Sequence, residues 1–299
     1  MKLAAIDIGS NAIRFQVTNV INHDGKLSFK KLEYIRFPLR LGNDVFRTNS
    51  ISPDKADRFF RLMNAFKLLI DLYEVDDYYA CATSAMRESE NGRTIVSRVK
   101  QLLGLTIHII DGDEEAKFIN NIILKDISDG IFLHIDVGGG STELNIIQNR
   151  KNLTSRSFKL GSVRSIEAQT SIRMMQEMTE WIAAQTAHYH EDITAIGTGG
   201  NIQKLYELTD SKGKSKSAHY ADLLQTQSYL KTLSQEQKIK HLKLNEDRAD
   251  VIVPASRIYL EAMKAARADL ILVPDVGLKD GIMQMLYEKH IPDSLLGLK

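Results

Sequence analysis

Two short segments of this chain share a pattern that restricts the folds it can adopt. In each, an apolar run ends in a carboxylate and is followed by a turn of small residues. The two segments are Asp7-Ile8-Gly9-Ser10-Asn11 and Asp136-Val137-Gly138-Gly139-Gly140-Ser141-Thr142-Glu143, and they begin 129 residues apart. Each half also has a later small-residue segment, Ala82-Thr83-Ser84-Ala85 and Gly197-Thr198-Gly199-Gly200. Two such pairs in the same order predict a duplicated architecture rather than a tandem solenoid.

The apolar spacing predicts that each half is a mixed sheet with covering helices. In the first half we expect strands near 3–8, 12–21, 27–37, 77–82 and 105–110 and helices near 53–74, 91–103 and 113–125. In the second half we expect strands near 131–137, 143–147, 152–159, 192–197 and 269–273 and helices near 171–190, from 200, 246–267 and 277–289. The helix at 53–74 is the most clearly marked, because Ser52-Pro53 is a start signal and its apolar residues recur at helical spacing: Phe59, Met63, Phe66 and Ile70.

Length and composition are those of an ordinary globular chain with two domains. At 299 residues we place the domains at 1–125 and 126–299, with the C-terminal helix free to pack back on the first, and expect no additional C-terminal helical domain. Hydrophobic residues make up 43% and charged residues 26%. The net charge is +1, so no overall field draws the protein to nucleic acid or to a membrane. Any polyanion must therefore be held by local groups.

Compartment and redox state follow from a few single residues. Cys81 is the one cysteine, which excludes an intrachain disulfide framework and a cysteine-rich metal site, and its apolar strand places it in the core. Asp7 interrupts the N-terminal apolar run that a signal peptide needs. No run approaches the roughly 18 apolar residues of a membrane span. We expect a cytoplasmic protein with neither nucleic acid nor membrane as a partner.

The glycine-rich turns have the chemistry of phosphate cradles. Backbone N–H groups can converge on an anion where no side chain blocks the approach, as at Gly138, Gly139 and Gly140. Ser141 and Thr142 add hydroxyl donors, and the turn at Gly9, Ser10 and Asn11 is a sparser version. Strand-end carboxylates beside such a turn can hold a hard cation, a role that suits three residues: Asp7, Asp136 and Glu143. The alternative is a pair of tight hairpins with solvated acids, but a Gly-Gly-Gly-Ser-Thr-Glu run exceeds what a turn requires.

The acidic segment Asp111-Gly112-Asp113-Glu114-Glu115 has two interpretations. Asp113 can cap a helix, and acids in a first helical turn complement the helix dipole. Alternatively, one carboxylate at this helix start serves as a general base toward water. Composition and spacing leave both open.

Several basic residues have similarly open roles. Arg87 can clamp a phosphate with its guanidinium fork, or it can be a surface residue paired with Glu88 or Glu90. Arg40, in Leu39-Arg40-Leu41-Gly42, is a similar but weaker candidate. Lys212, Lys214 and Lys216 can follow a polyphosphate chain, although such a run is more often a solvated loop. We expect five histidines to be surface residues, since they form no metal motif: His188, His190, His219, His241 and His290.

As a set, the quoted motifs closely resemble those of the exopolyphosphatase/guanosine pentaphosphate phosphohydrolase (Ppx/GppA) family. That family belongs to the superfamily of actin, sugar kinases and heat-shock chaperone ATPases. The matching stretches run in family order and cover both halves of the chain: 5–11, 82–87, 112–116, 136–144 and 197–200. The resemblance implies an α/β protein with the duplicated actin-like (ribonuclease H-like) fold, in which two mixed-sheet domains flank a cleft.

The resemblance also implies roles for individual residues. Glu115 would be the catalytic base that activates water, and Arg87 would bind phosphate. Asp136 and Glu143 would help to hold Mg²⁺, and the glycine turns, including Gly199 and Gly200, would cradle successive phosphates. The implied substrates are inorganic polyphosphate and guanosine pentaphosphate (pppGpp), and a homodimer is open because members of this superfamily often associate.

The chain also departs from the family pattern, and other activities stay open. Long family members have a further helical domain that extends the polyphosphate channel, whereas this sequence ends at Lys299, which puts processivity in question. Asn11-Ala12 stands where Asn-Ser is commoner. A kinase of the same superfamily would need a small acceptor molecule, and a non-catalytic sensor of polyphosphate or guanosine phosphates would bind without releasing phosphate.

Overall fold

The computed structural model describes residues 1–23, 26–164, 168–209 and 216–291. The chain divides into two compact units. The first comprises Met1–Ile122 together with the segment from Leu278 onward, and the second comprises Ile123–Gly277. Each unit has its own sheet and its own hydrophobic core.

The first unit is a five-stranded mixed sheet with helices. Its elements in chain order are β1 (Lys2–Ile8), β2 (Ile13–His23), β3 (Lys26–Phe37), α1 (Leu41–Thr48), α2 (Pro53–Leu72), β4 (Asp77–Ala82), α3 (Ser84–Glu88), α4 (Gly92–Leu103), β5 (His108–Ile109) and α5 (Gly112–Asp126). The strand order is β3-β2-β1-β4-β5. The β2 strand pairs antiparallel with both β1 and β3, whereas β4 runs parallel to β1 and β5 runs parallel to β4.

The second unit is a six-stranded mixed sheet with helices. Its elements are β6 (Ile131–Val137), β7 (Thr142–Gln148), β8 (Lys151–Phe158), α6 (Gln169–Thr186), β9 (Ile193–Thr198), α7 (Gly200–Leu208), β10 (Ser217–His219), α8 (Tyr220–Thr232), α9 (Gln235–Lys240), α10 (Glu246–Ala249), α11 (Ile252–Ala265) and β11 (Leu270–Leu272). The strand order is β10-β11-β9-β6-β7-β8. A last helix, α12 (Leu278–Lys289), follows in the chain and packs on β1 of the first unit.

The two sheets repeat one topology. In each, a first strand pairs antiparallel with the second and parallel with the fourth, and the second pairs antiparallel with the third. The order β3-β2-β1-β4-β5 therefore corresponds to β8-β7-β6-β9-β11, with β10 added at the far edge. The register repeats as well, because Asp7 lies opposite Arg14 and Asp136 lies opposite Glu143. The duplication predicted from the sequence is confirmed.

The apolar faces expected from the sequence form these cores. Phe59, Met63, Phe66 and Ile70 are all buried along α2, and the ring of Phe66 stacks on Phe15 of β2 at 4.7 Å between centroids. Burying one side chain of this size stabilises a fold by roughly 1.5–3 kcal/mol. Cys81 is fully buried, as expected.

One predicted helix is wrong as drawn. The segment 246–267 is not a single helix but two, α10 and α11, separated at Asp250 and Val251. Pro254 explains the interruption, because proline has no N–H to bond the carbonyl four residues earlier and its ring clashes with that carbonyl. Proline is tolerated in a first turn, so α11 begins at Ile252, just before it.

Short elements account for most other differences. The strand expected at 105–110 is reduced to His108–Ile109, and α1 and α3 were not anticipated. In the described ranges, no helix is both long enough and apolar enough to cross a bilayer.

Candidate active site

The carboxyl end of β6 brings two carboxylates of the second unit together. Asp136 and Glu143 are direct partners in the β6–β7 ladder, so their side chains leave the same face of the sheet. Glu143 is only 2% exposed, and its Oε1 accepts a hydrogen bond from Ser157 Oγ at 2.9 Å. Tyr259 lies close enough to feel both carboxylates. Its pKa is raised mainly by burial, and the charges of Asp136 and Glu143 raise it further. Oxygen ligands in this arrangement suit a hard cation.

The Gly138–Gly140 turn is held from one side by the segment Leu160–Arg164. Ser162 N donates to Gly138 O at 3.0 Å, Val163 N donates to Gly139 O at 2.8 Å, and Arg164 Nε donates to Gly140 O. In a trans peptide the C=O and the next N–H point in opposite directions. The N–H groups that follow these three carbonyls therefore point away from Leu160–Arg164, as an anion cradle requires.

Close backbone packing makes this support possible. A Cβ on Gly161 would overlap the Gly139 carbonyl and the Gly140 nitrogen, so only glycine fits there. Thr142 Oγ1 donates to Leu160 O at 2.6 Å, so its hydroxyl stabilises the turn, and its phosphate-binding role stays a prediction. Sequence reasoning missed Leu160–Arg164, although a glycine directly after a strand was an available signal.

The Gly199–Gly200 turn lies beside the same carboxylates. Gly199 has a φ of 93°, a value that favours glycine, and a Cβ there would lie 3.0 Å from Asp136 Oδ1. Arg248 Nη1 of α10 donates to Gly200 O at the start of α7. Within the second unit, the structure therefore brings together Asp136, Glu143 and two glycine turns, Gly138–Gly140 and Gly199–Gly200.

The equivalent turn in the first unit is built in the same way. Gly42 N donates to Ser10 O at 2.8 Å, and Arg40 N donates to Asn11 O at 2.9 Å. The supporting segment again follows the third strand of the sheet, so the N–H groups after Ser10 and Asn11 point away from it. Ser10 Oγ accepts from Ala85 N at 3.2 Å and lies 2.9 Å from Ser84 Oγ, which links the Gly9–Asn11 turn to α3.

Asp7 differs from its counterpart Asp136 in what faces it. Its cross-strand partner is Arg14, whose Nη1 donates to Asp7 Oδ2 at 2.7 Å, and the carboxylate is only 5% exposed. Arg14 supplies the positive charge that a buried carboxylate needs. The assignment of Asp7 as a metal ligand stays a prediction.

The carboxylates at the start of α5 differ in their contacts. Asp111, not Asp113, caps α5: Glu114 N donates to Asp111 Oδ1 at 2.8 Å, and Asp111 N donates to Glu114 Oε2 at 3.2 Å. The sequence expectation of Asp113 as the cap was wrong, because this reciprocal capping box is centred two residues earlier. Asp113 is exposed, whereas Glu115 is half-buried.

Glu115 and Asp7 both lie near Cys81, which is the register partner of Asp7 in the β1–β4 ladder. Burial first, and then the charges of Asp7, Glu115 and Glu114, raise the pKa of the Cys81 thiol. Arg87 reaches the same helix start, because its Nη1 donates to Ile110 O at 2.7 Å. The first unit thus brings Arg87 to Ile110, just before the α5 helix that carries Glu115, and the catalytic roles of Glu115 and Arg87 stay predictions.

Remaining candidates are located as follows. Arg40 has a left-handed φ of 56°, and its carbonyl accepts from Lys55 Nζ at 2.7 Å. Lys212 and Lys214 lie outside the described residues, and Lys216 is exposed. The five histidines expected at the surface are exposed: His188, His190, His219, His241 and His290.

A buried polar network behind Asp136 was not anticipated. His134, two residues before Asp136 on β6, is fully buried, and burial lowers its pKa to about 3. Its Nδ1 lies 2.8 Å from Asn145 Nδ2, and its Nε2 lies 2.9 Å from Thr198 Oγ1. Because the amide nitrogen can only donate, Nδ1 accepts and the proton of the neutral ring is on Nε2. This network joins β6, β7 and β9 directly beside the carboxylates.

A cation at Asp136 and Glu143 would need further ligands. Across the part of the chain that the structure describes, no three His, Cys, Asp or Glu side chains converge as a metal cage. Mg²⁺ is commonly held by one or two carboxylates, with water and substrate phosphates completing its shell. The Asp136–Glu143 pair fits that kind of site.

Comparison with known proteins gives a consistent result. The model of the Ppx/GppA phosphatase family matches residues 20–290. Among curated proteins, the bifunctional 3-dehydroquinate synthase/phosphatase of Fusobacterium nucleatum is 25% identical, over 95% of this chain and 46% of its own length. The guanosine-5'-triphosphate,3'-diphosphate pyrophosphatase of Aliivibrio fischeri is 23% identical, over 93% of this chain and 58% of its own. The chain therefore spans about half the length of these relatives.

Solved structures cover the chain almost completely. The Aquifex aeolicus member of the Ppx/GppA protein family has a TM-score of 0.75 at 25% identity, covering 97% of this chain and 99% of its own. An exopolyphosphatase from Cytophaga hutchinsonii has a TM-score of 0.82 at 21% identity, with coverage of 97% and 98%. These likenesses confirm the predicted fold, an actin-like ATPase fold with two mixed-sheet α/β domains.

Proposed function

This chain belongs to the Ppx/GppA phosphatase family, and we propose that it hydrolyses terminal phosphoanhydride bonds of inorganic polyphosphate, pppGpp or both. The products are orthophosphate and a substrate shortened by one phosphate. The names of its relatives support both substrates: pyrophosphatases of guanosine-5'-triphosphate,3'-diphosphate among the curated proteins, and an exopolyphosphatase among the solved structures.

One observation carries the proposal: the duplicated strand pair differs in charge between the two units. In the first unit Asp7 faces Arg14, which neutralises it. In the second unit Asp136 faces Glu143, so two carboxylates stand side by side next to two glycine turns. Two adjacent carboxylates offer oxygen ligands of the kind that a hard cation prefers, and a bound cation would offset the repulsion between them. The second unit is therefore suited to hold a divalent cation together with phosphate.

We infer that Mg²⁺ is that cation and that Asp136 and Glu143 hold it. When bound, Mg²⁺ would neutralise the charge on phosphate oxygens as the phosphoryl group is transferred. The N–H groups of Gly139, Gly140 and Ser141, which follow the carbonyls bound by Ser162–Arg164, would bind and orient phosphates of the substrate. Gly199 and Gly200 lie beside Asp136 and would bind a neighbouring phosphate.

In the first unit, Glu115 would accept a proton from the attacking water. Its neighbour Glu114 is engaged in capping α5, whereas Glu115 lies, like Asp7, near Cys81, and Arg14 and Arg87 supply positive charge. Arg87 would bind a phosphate oxygen, and the Gly9–Asn11 turn would add backbone donors. Catalysis of this type depends mainly on positioning and charge stabilisation.

Replacing Glu115 tests the mechanism. Glu115→Gln keeps the size of the side chain and removes its capacity to accept the proton, so phosphate release should fall by about 10²–10⁴-fold. Glu114→Gln is the matched control, because a glutamine at this position still completes the capping box. Its phosphate release should remain near that of the wild type, and both variants should keep the wild-type circular dichroism spectrum.

The contrary result is equally clear. Near-wild-type turnover by folded Glu115→Gln protein would remove Glu115 from the catalytic role. Equal losses in both variants would show that the start of α5 matters for structure rather than for proton transfer.

A further inference from the structure

Tyr259 occupies an unusual position in the second unit. It lies in the middle of α11, it is fully buried, and its side chain extends to the ends of two strands. The neighbouring buried positions of α11 contribute apolar side chains to the core: Ile258, Leu260, Ala262 and Met263. A hydroxyl in such surroundings is retained at low cost only if it is hydrogen-bonded.

The Tyr259 hydroxyl is bonded to both strand ends. Val137 N donates to Tyr259 Oη at 3.2 Å, and Tyr259 Oη donates to Thr198 O at 2.5 Å. The direction of both bonds is fixed, because an amide nitrogen can only donate and a carbonyl oxygen can only accept. One phenol therefore links the last residue of β6 to the last residue of β9.

Those two residues lead directly into the two glycine turns. Val137 lies between Asp136 and Gly138, and Thr198 precedes Gly199. A Cβ on Gly199 would lie 3.0 Å from Asp136 Oδ1 and 3.8 Å from Tyr259 Oη, so the hydroxyl and the carboxylate border the same small space. Any change in the separation of Val137 and Thr198 would move Asp136 relative to the Gly199 turn.

We propose that Tyr259 is a positioning residue, whose hydroxyl sets the separation of the two glycine turns and so places the Asp136 carboxylate for metal binding. This inference deepens the proposed function, since it rests on Asp136 as a metal ligand. Tyr259 does not ligate the cation itself. It acts through Val137 and Thr198, which no other side chain type of similar shape can bridge, because phenylalanine lacks both the donor and the acceptor.

Tyr259→Phe tests the inference, with Tyr189→Phe as the matched control. Tyr189 lies in the same hydrophobic core, so the control also deletes one phenolic hydroxyl from that core. Mn²⁺ would serve as the probe, with the free ion quantified by electron paramagnetic resonance on the full chain. Loss of an outer partner of a metal site weakens metal affinity by about 10–100-fold. We expect Tyr259→Phe to raise the Kd for Mn²⁺ about 10-fold and Tyr189→Phe to leave it unchanged.

Metal binding and phosphate release are measured separately, so the two proposals can fail independently. If Tyr259→Phe binds Mn²⁺ and releases phosphate as the wild type does, this inference fails and the proposed function stands. If the wild type releases no phosphate but Tyr259→Phe still weakens Mn²⁺ binding, the positioning role stands and the function falls. If the wild type binds no Mn²⁺, the positioning role is overturned.

A measurement on the wild type covers the case in which Tyr259→Phe does not fold. A buried, hydrogen-bonded phenolic proton exchanges slowly enough to be seen by nuclear magnetic resonance. We expect a cross-peak between the Tyr259 hydroxyl proton and the Val137 amide proton, and a shift of both on addition of Mg²⁺. Saturation with Mg²⁺ without any shift of these two signals would contradict the inference.

Discussion

Gly199 is the residue at which backbone conformation and site geometry are most closely joined. Its φ of 93° and ψ of 159° lie in a region that essentially only glycine adopts. The position that a Cβ would take is also the space next to Asp136 Oδ1. A side chain here would therefore strain the turn and displace a carboxylate at the same time.

Gly199→Ala should lose activity out of proportion to stability. Backbone strain of this kind costs about 1–3 kcal/mol, while displacement of Asp136 should lower phosphate release at least about tenfold, since small misplacements at a catalytic site can cost as much as 10²-fold. Gly104→Ala is the control, because Gly104 also has a positive φ, 68°, but nothing lies within 4 Å of its Cβ position. Urea unfolding and phosphate release would be measured on both. Equal activity in the two variants at equal stability would contradict the placement of Asp136.

At the residue scale the sequence predicted the acidic and glycine residues of the site but not the residues that hold them in place. Asp136, Glu143 and the glycine turns stand close together in the chain, so a local pattern exposes them. Tyr259 contacts Val137 from 122 residues away, and no local pattern marks such a pair. The capping residue of α5 was misplaced although the sequence has a signal for it: Glu114 lies three residues after Asp111, as a capping box requires, whereas Ala116 lies three residues after Asp113.

The elements next to the turns act as their scaffold. In both units the segment after the third strand of the sheet donates hydrogen bonds to carbonyls of a glycine turn, the Gly9–Asn11 turn in the first unit and the Gly138–Gly140 turn in the second. In the first unit that segment continues into α1, which is joined to α2 by a charged contact: Lys55 Nζ donates to Asp44 Oδ1 at 2.6 Å and to Arg40 O at 2.7 Å. Lys55, which is paired with Asp44, thus holds the carbonyl of Arg40, and the N–H of Arg40 donates to Asn11 O.

Asp44→Asn should destabilise the protein in a pH-dependent way. Burial alone raises the pKa of Asp44, but hydrogen bonds from Lys55 and Ser52 outweigh it and hold the pKa below its ordinary value of 3.8. The ionised carboxylate therefore contributes stability above pH 3.8, and this contribution is lost as the pH falls through the lowered folded-state value. We expect a loss of about 1.5–3 kcal/mol at pH 7, the range for hydrogen bonds to charged groups.

Urea unfolding of the wild type and of Asp44→Asn, at neutral pH and again at about pH 3, checks this prediction. The difference between the two proteins should shrink at the lower pH. Asp71→Asn is the control, because Asp71 forms a more exposed pair with Lys67 on the same helix and should change stability by less than about 1 kcal/mol. A difference for Asp44→Asn that is independent of pH would show that the charge is not the cause.

Long elements were predicted well and short ones poorly. The α2 helix has four buried apolar residues at helical spacing, and a pattern of that length indicates an amphipathic helix from the sequence alone. The α3 helix has five residues, too few for a period to show, and β5 has two. The interruption between α10 and α11 was foreseeable from Pro254, although the apolar pattern continues on both sides of it.

The molecule as a whole is a duplication that has diverged in charge. The same strand order supports Asp7 with Arg14 in one unit and Asp136 with Glu143 in the other. Recurrence of motifs in the sequence was sufficient to predict the repeat. Arg14 and Glu143 are separated by the same 129 residues as the two motifs, but the strand register is needed to show that they lie opposite Asp7 and Asp136.

The C-terminal helix shows a second limit at this scale. An amphipathic helix must bury its apolar face, but its sequence does not say against which partner. In the structure α12 packs on β1, and Gly281 allows it to approach the backbone of Phe118 in α5 so closely that a Cβ would overlap the carbonyl. That contact joins residues more than 150 positions apart, and only the small size of one residue hints at it.

The most direct test of the account is orthophosphate release by the wild-type protein from polyphosphate, from pppGpp and from ATP. Each substrate would be assayed with Mg²⁺, with a chelator in its place, and with and without small-molecule phosphoryl acceptors. We expect Mg²⁺-dependent release from polyphosphate or pppGpp that needs no acceptor. Phosphate transfer that occurs only with an acceptor, or tight binding of both substrates without any release, would contradict it.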